Sequence, residues 1–342
     1  MIHPAWMSRQ LENNVVECLA CNHKCKIPPG KRGICGIRKN ENGELKLLVY
    51  GKAVSYNTDP IEKKPLFHFY PGTGIFSFGT VGCNFHCLFC QNWDISQFHK
   101  DHTEEDIINS GKDLMPETIV EYCKSNNIPS IAFTYNEPGI FFEYTYDTAK
   151  LAHENGIKTV YVSNGFETQT ALKKLLPYID AMNIDLKSFS NDFYLKICGG
   201  RIDPVKKNIK WLFEKGVWDE VTTLLVTGEN DSDKELEKIA KFIYRISPNI
   251  PWHISRYTPC YKMNNPPTPV ERLEKAYEIG KNAGLNYVYV GNINDPAKSS
   301  TYCPKCKTCV IERTDYGYSV NSKLKKGGIC PVCGYKIAGR FD

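Results

Sequence analysis

Fifteen cysteines, and the way they group, constrain this 342-residue chain more than any other feature. Three stand in Gly82-Cys83-Asn84-Phe85-His86-Cys87-Leu88-Phe89-Cys90-Gln91-Asn92, spaced C-x3-C-x2-C with an aromatic before the last. Two C-x2-C steps, Cys303/Cys306 and Cys330/Cys333, are separated by twenty-three residues near the end. Cys18, Cys21, Cys25 and Cys35 form a set near the start. In a secreted mini-protein such a count predicts disulfides. A chain this long, with 42% hydrophobic residues, has enough apolar surface for a core without them. Short-spaced steps of this kind point instead to metal in a reducing cytoplasm.

Each group suggests its own chemistry. Three thiolates on one loop, Cys83, Cys87 and Cys90, can hold three irons of a [4Fe–4S] cluster and leave the fourth open to a substrate or cofactor. The alternative is a zinc knuckle with His86 as fourth ligand. The C-terminal pair of steps reads as a zinc ribbon, although rubredoxin-like iron suits the same spacing; a small loop-rich segment needs such a staple to fold. Cys309 is surplus to it. The N-terminal set, with His23 nearby, accommodates either zinc or an auxiliary iron–sulfur cluster, and spacing leaves both open.

From Gly74 onward, short β-branched apolar runs alternate with longer amphipathic ones. Strands are predicted at Ile75–Gly79, Ser130–Tyr135, Lys158–Val162, Ala181–Asp185, Glu220–Val226, Trp252–Arg256 and Asn286–Val290. Helices are predicted at Met115–Asn126, Ile140–Asn155, Glu167–Leu176, Pro204–Lys215, Ser232–Ile246 and Val270–Ala283. Ser232 and Glu235 suggest a capping box, and Gly156, Gly216 and Gly284 stand where helices should stop. This is an α/β pattern of parallel units, about six or seven of which can curve into an open or closed barrel with its chemistry at the strands' carboxyl ends. Residues 1–73 read as a cysteine-rich extension with an Asn42-Gly43 turn and a strand-like run from Leu45 to Tyr50. Within it, Asp59 to Phe69 is too polar and proline-broken to predict a core element. Residues 74–296 form the main unit, and 297–342 a turn-rich module.

The predicted strand ends carry polar groups. Asn136 and Glu137 follow the second strand, Ser163 and Asn164 the third, Asp185 and Lys187 the fourth, and His253 and Arg256 lie on the sixth. Glu137 or Asn136 suits an ammonium, and Arg256 or Lys187 a carboxylate, so the set can clamp a zwitterionic amino acid and a ribose. Any one of these is as often a satisfied structural group; their value lies in company with the cysteine loop.

On the C-x3-C-x2-C loop the chain resembles the radical S-adenosylmethionine (SAM) enzymes. It is similar to the branch of the pyruvate formate-lyase activating enzymes and, more closely, to the radical SAM member of the AmmeMemoRadiSam system. That closer likeness is carried by Cys18-x2-Cys21-x3-Cys25, Asp59-Pro60-Ile61-Glu62-Lys63-Lys64-Pro65, Tyr135-Asn136-Glu137-Pro138, Trp252-His253-Ile254-Ser255-Arg256 and the paired C-terminal cysteines. The resemblance implies a partial (β/α)6 barrel, a [4Fe–4S] cluster with SAM on its unique iron, and one-electron cleavage to a 5′-deoxyadenosyl radical that abstracts hydrogen from a substrate. By family position Asn136 and Glu137 fall at the SAM amino group, Ser163 and Asn164 at the ribose and carboxylate, and Asp185, Lys187 and His253 toward SAM or substrate. Activating enzymes carry an aspartate before this turn that helps hold a monovalent cation. Val162 stands there, so the resemblance does not extend to that cation.

The implied partners are a one-electron donor such as flavodoxin or ferredoxin and a protein substrate, as in glycyl-radical enzyme activation. The rival readings are radical modification of a small molecule or RNA, and a non-catalytic metal-binding adaptor, which would not need the strand-end polar set. The net charge of +5 permits an acidic or nucleic-acid partner without requiring one, and Lys305, Lys307, Lys323, Lys325 and Lys326 read first as a solvated basic surface. No apolar run approaches the roughly twenty residues of a membrane span, and Met1 to Gln10 lack a signal-peptide pattern, so a cytoplasmic location is expected. Cys123 is expected in the core. Cys198 and Cys260 lie in loops after strand–helix units, where a thiol can pack or donate hydrogen to a radical.

Overall fold

The computed structural model describes residues 2–342. The alternation from Gly74 onward becomes one eight-stranded sheet: β1 (Ser55–Pro60), β2 (Gly74–Gly79), β3 (Ser130–Phe133), β4 (Lys158–Ser163), β5 (Ala181–Asp185), β6 (Trp218–Leu225), β7 (Trp252–Arg256) and β8 (Val288–Gly291). The strands lie side by side in chain order. β2 to β8 are parallel and β1 is antiparallel to β2. β1 and β8 are the two edges and do not pair with each other, so the sheet is open. Every residue of β3 and the first four of β5 are buried, the uniform apolarity of a parallel sheet covered on both faces.

The connecting helices are α1 (Pro116–Ser125), α2 (Phe142–Glu154), α3 (Gln169–Leu175), α4 (Ile202–Glu214), α5 (Asp233–Ile246) and α6 (Val270–Asn282), close to the predicted bounds. Ser232 caps α5 by accepting the Glu235 N–H. The reciprocal half of the predicted capping box is not made: the Glu235 carboxylate instead accepts from the Ser188 hydroxyl and the Phe189 N–H, tying α5 to the loop after β5.

The structure corrects the reading of residues 59–69. Ile61, Leu66 and Phe69 are fully buried and pack on Ile75, Ala132, Val160 and Ala181 of the sheet. The polar residues between them are neutralised locally: Lys64 pairs with Asp59 at 2.9 Å, and Glu62 accepts the Gly72 N–H at 2.9 Å. The segment fills the sheet from below, and β1 before it belongs to the sheet, so the main unit begins before residue 74.

The N-terminal region is built of short antiparallel strands, with Arg38–Glu41 and Glu44–Leu47 joined at Asn42-Gly43. A buried ion pair fastens it to α2. Arg38 pairs with Glu143 and donates from Nε to the Ile140 carbonyl at 2.7 Å, while Glu143 also accepts the Met7 N–H at 2.9 Å. At the other end, Thr301–Tyr302, Cys309–Thr314 and Ser319–Ser322 form an antiparallel sheet. Its core of Cys303, Val310, Ile311, Cys330 and Ile337 packs on Phe67, Tyr287 and Tyr289, covering the β8 edge. Among the described residues, no helix is long and apolar enough to cross a membrane.

Candidate active site

The carboxyl ends of the parallel strands surround a cleft of about 780 Å3. Cys83, Cys87 and Cys90 line it from the loop after β2, Asn136 and Glu137 from the end of β3, Ser163 and Asn164 from β4, and Asp185 and Lys187 from β5. Asp59, Lys63, Lys64 and Pro65, from the segment packed under the sheet, line it as well.

The cysteine loop is held by the protein alone. Gly82 has φ +89°, and a Cβ there would stand 2.5 Å from the Cys35 carbonyl oxygen, so only glycine fits. The Asn136 amide donates to Gly82 O at 2.8 Å and to Thr80 Oγ at 3.1 Å, and accepts the Thr80 N–H at 3.3 Å. On the far side, His86 N–H and Leu88 N–H donate to the carbonyls of Cys198 and Ile197 at 2.9 and 3.0 Å. That turn comes close because Gly200 lacks a side chain; a Cβ would lie 2.2 Å from the Phe85 ring. Cys260 Sγ contacts the Cys90 carbonyl at 3.5 Å. Three thiols are thus placed by a rigid frame, as a site for an inorganic group requires.

Electrostatics divide the cleft. Contact with the Cys198 thiol, helped by the Lys187 ammonium, pulls Cys87 below the ordinary thiol range against the opposing effect of burial. Burial alone would lower Lys187, but Asp185, 2.7 Å away, and the neighbouring thiols outweigh it and hold the ammonium charged. Glu137 is the reverse case. Burial and the facing Glu167 carboxyl push it well above the usual carboxylate range. Its oxygens accept from Gly139 N, Asn164 N and Ser163 Oγ at 2.9, 2.8 and 3.0 Å, and Ser163 Oγ also reaches Glu167 at 2.6 Å.

Two expected members lie outside the cleft. His253 Nε2 is 2.6 Å from Glu220, and the ring lies edge-on under Phe67. It is on the cleft-facing side of β7 but packed against Phe67, which the sequence reading did not foresee. Arg256 points away: Ser255 lines the cleft, so strand alternation turns Arg256 outward, where Nε donates to the Thr268 carbonyl at 2.9 Å. Asn136 needs a different correction. It borders the cleft, but its amide protons go to Thr80 and Gly82 and its Oδ1 accepts the Thr80 N–H, so it positions the cysteine loop. Unforeseen lining residues are Tyr135, whose hydroxyl donates to Asp59 at 3.1 Å, and Tyr318 from the C-terminal module. Tyr135 takes a positive φ of 69°, a conformation with no sequence signal.

The thiol sets differ in shape. Among the described residues, one group of potential ligands lies within 4.8 Å of one another: Cys303, Cys306, Cys330 and Cys333. That closeness suits a single tetrahedral ion. The cleft cysteines do not converge so tightly, and His86 is not in the cleft, its ring lying against Gly199. Among the described residues, the cleft is lined by these three thiols and by no further thiol or imidazole, which fits a cluster with one free iron better than a closed zinc knuckle.

Comparison with known proteins agrees with this geometry. Residues 78–243 match the model of the radical SAM superfamily. The uncharacterized protein MJ0808 of Methanocaldococcus jannaschii is 42% identical over 339 residues, 97% of this chain and 98% of that one. The pyruvate formate-lyase 1-activating enzyme of Escherichia coli K12 is 25% identical over 167 residues, 47% of this chain and 65% of the relative. Among solved structures, Streptococcus suis SuiB bound to S-adenosylmethionine aligns with a TM-score of 0.50 at 15% identity, over 68% of this chain and 53% of SuiB, a likeness of fold. With its cysteine loop at the head of the matched region, the chain belongs to the radical SAM superfamily and is a radical SAM enzyme.

Proposed function

We propose that the cleft cleaves SAM reductively at a [4Fe–4S] cluster held by Cys83, Cys87 and Cys90, and that the substrate is a polypeptide. The observation carrying this reading is a preorganised three-thiol loop opening into a cleft of about 780 Å3 that, among the described residues, no further thiol or imidazole lines. Bound there, the cluster and SAM together supply a 5′-deoxyadenosyl radical for hydrogen abstraction.

The residues of the chain bind and orient. Lys187, kept charged by Asp185, is set to take a carboxylate, and the Asp185 carboxylate to take an ammonium. Ser163 and Asn164 offer a hydroxyl and an amide for a ribose. Glu137, its oxygens accepting from Gly139 N, Asn164 N and Ser163 Oγ, ties the end of β3 to the turn after β4 beside the cysteine loop. The buried segment under the sheet closes the site to water from beneath. The open sheet is read as a partial (β/α)6 barrel, and the C-terminal thiol quartet as a zinc ribbon whose Tyr318 frames the cleft mouth. The electron comes from a flavodoxin or ferredoxin.

Similarity to activating enzymes, whose substrates are proteins, favours a polypeptide. The test is transfer of deuterium into 5′-deoxyadenosine from a deuterated proteome of the source organism. Loss of transfer after protease treatment supports a polypeptide. Transfer that survives protease and disappears with ribonuclease overturns it in favour of RNA.

A further inference from the structure

The N-terminal cysteines form a second site behind the cleft. Cys18, Cys21, Cys25 and Cys35 all line one small void, which Asn84 of the cysteine loop also touches. Local hydrogen bonds gather them: Cys18 N–H donates to the Cys25 carbonyl at 2.9 Å, and Gly36 N–H to the Gly33 carbonyl at 2.9 Å, turning the chain at Cys35.

The two cysteine quartets of this protein differ in size. In the C-terminal one, Cys303 and Cys333 are 3.6 Å apart at sulfur, and Cys306 and Cys330 3.7 Å. Around zinc, with bonds of about 2.3 Å, a tetrahedron has an edge of about 3.8 Å. The N-terminal thiols do not meet the 4.8 Å convergence that the C-terminal ones do. Between them lies a void of about 10 Å3, room for a water-sized sphere. Thiols standing farther apart than the edge of a zinc tetrahedron suit a polynuclear centre, which spans the wider gap.

Position adds a second observation. His23 Nε2 lies 2.9 Å from the Asn84 carbonyl, and Gly82 presses on the Cys35 carbonyl. Both neighbours of Cys83 therefore touch the N-terminal cysteine region.

We propose that Cys18, Cys21, Cys25 and Cys35 bind a second iron–sulfur cluster that feeds the cleft. A reduced flavin or iron–sulfur protein loses one electron to this cluster, which passes it to the cluster at Cys83, Cys87 and Cys90; the donor ends oxidised by one electron and the cleft cluster reduced by one. The binding site stands on its own geometry, and only the electron's destination rests on the function proposed above.

The test counts metal and sulfide after anaerobic reconstitution, in the wild type and in the triple variant Cys83→Ala/Cys87→Ala/Cys90→Ala, which leaves the N-terminal set intact. The wild type should hold about eight irons and the variant about four, each with about one zinc, and the dithionite-reduced variant should show the electron paramagnetic resonance of a one-electron-reduced cluster. A wild type with about four irons and a variant with none overturns the proposal, whether the zinc count is one or two. About four irons in both proteins keeps the N-terminal cluster and refutes the cleft reading. If the variant does not fold, the wild-type count of about eight or about four decides.

Discussion

Asn136 is the side chain on which the geometry of the cysteine loop most depends. Its amide spans from the end of β3 to Thr80 and Gly82, the residues leading into Cys83. Replacing it with Ala leaves the Gly82 carbonyl and the Thr80 N–H buried without partners. A buried polar group left unpaired costs roughly 1–3 kcal/mol, so two cost about 2–6 kcal/mol, and the lower half of that range applies where cleft water reaches one of them. For a chain of this length, with an unfolding entropy of about 2 cal/mol/K per residue, about 3 kcal/mol lowers the melting temperature by about 4 °C. Because the lost bonds hold the loop, iron retained after desalting should fall in step. Calorimetry and iron assay of the reconstituted protein measure both. Asn136→Asp keeps the shape but sets an acceptor against the Gly82 carbonyl, so it should do no better than Ala. An Asp variant with wild-type melting and iron content would refute the hydrogen-bond account.

Other perturbations follow from the same structure. Arg38→Met strands the buried Glu143 carboxylate and should cost about 3–5 kcal/mol in urea unfolding, most of it recovered in the double variant with Glu143→Leu. Burial pushes the His68 imidazole down to about 4, with Nδ1 against the Ala338 carbonyl and Nε2 against the Tyr289 hydroxyl. The unfolded chain then binds the proton first, so this contribution is whole above about pH 6.5 and is lost as pH falls toward 4. Between pH 7 and 5 it removes about 2 kcal/mol, a slope that His68→Gln should flatten when unfolding is measured at both pH values. Cys306→Ser/Cys330→Ser should release about one zinc and expose the lysine-rich C-terminal segment to trypsin, with iron unchanged; retained zinc would count against the ribbon.

What was legible in the sequence was what local rules control. The bounds of β5 and β7 match their apolar runs, and the helices end near the glycines that mark them. The cysteine groups announced themselves by spacing. What was not legible depended on packing between distant segments. The run Ile61 to Phe69 looked like a surface loop because its charges are neutralised by Asp59, the Gly72 N–H and the approach of Arg313, none of which its own composition reveals. That buried segment is also why His253, on the correct side of β7, never reaches the cleft. Arg256 failed for a simpler reason: strand alternation puts Ser255 inside and Arg256 out. Asn136 borders the cleft, but its hold on the cysteine loop could not be read before its hydrogen-bond partners were known.

The central claim is that three cysteines at one strand end make this chain a SAM-cleaving catalyst. Anaerobic reconstitution, followed by dithionite and SAM, measures it directly by the yield of 5′-deoxyadenosine. The account predicts that wild-type protein forms the product and that Cys87→Ala forms none while its zinc content stays the same. A reconstituted wild-type protein that holds iron but neither binds nor cleaves SAM, or a Cys87→Ala variant that cleaves it as the wild type does, would contradict it.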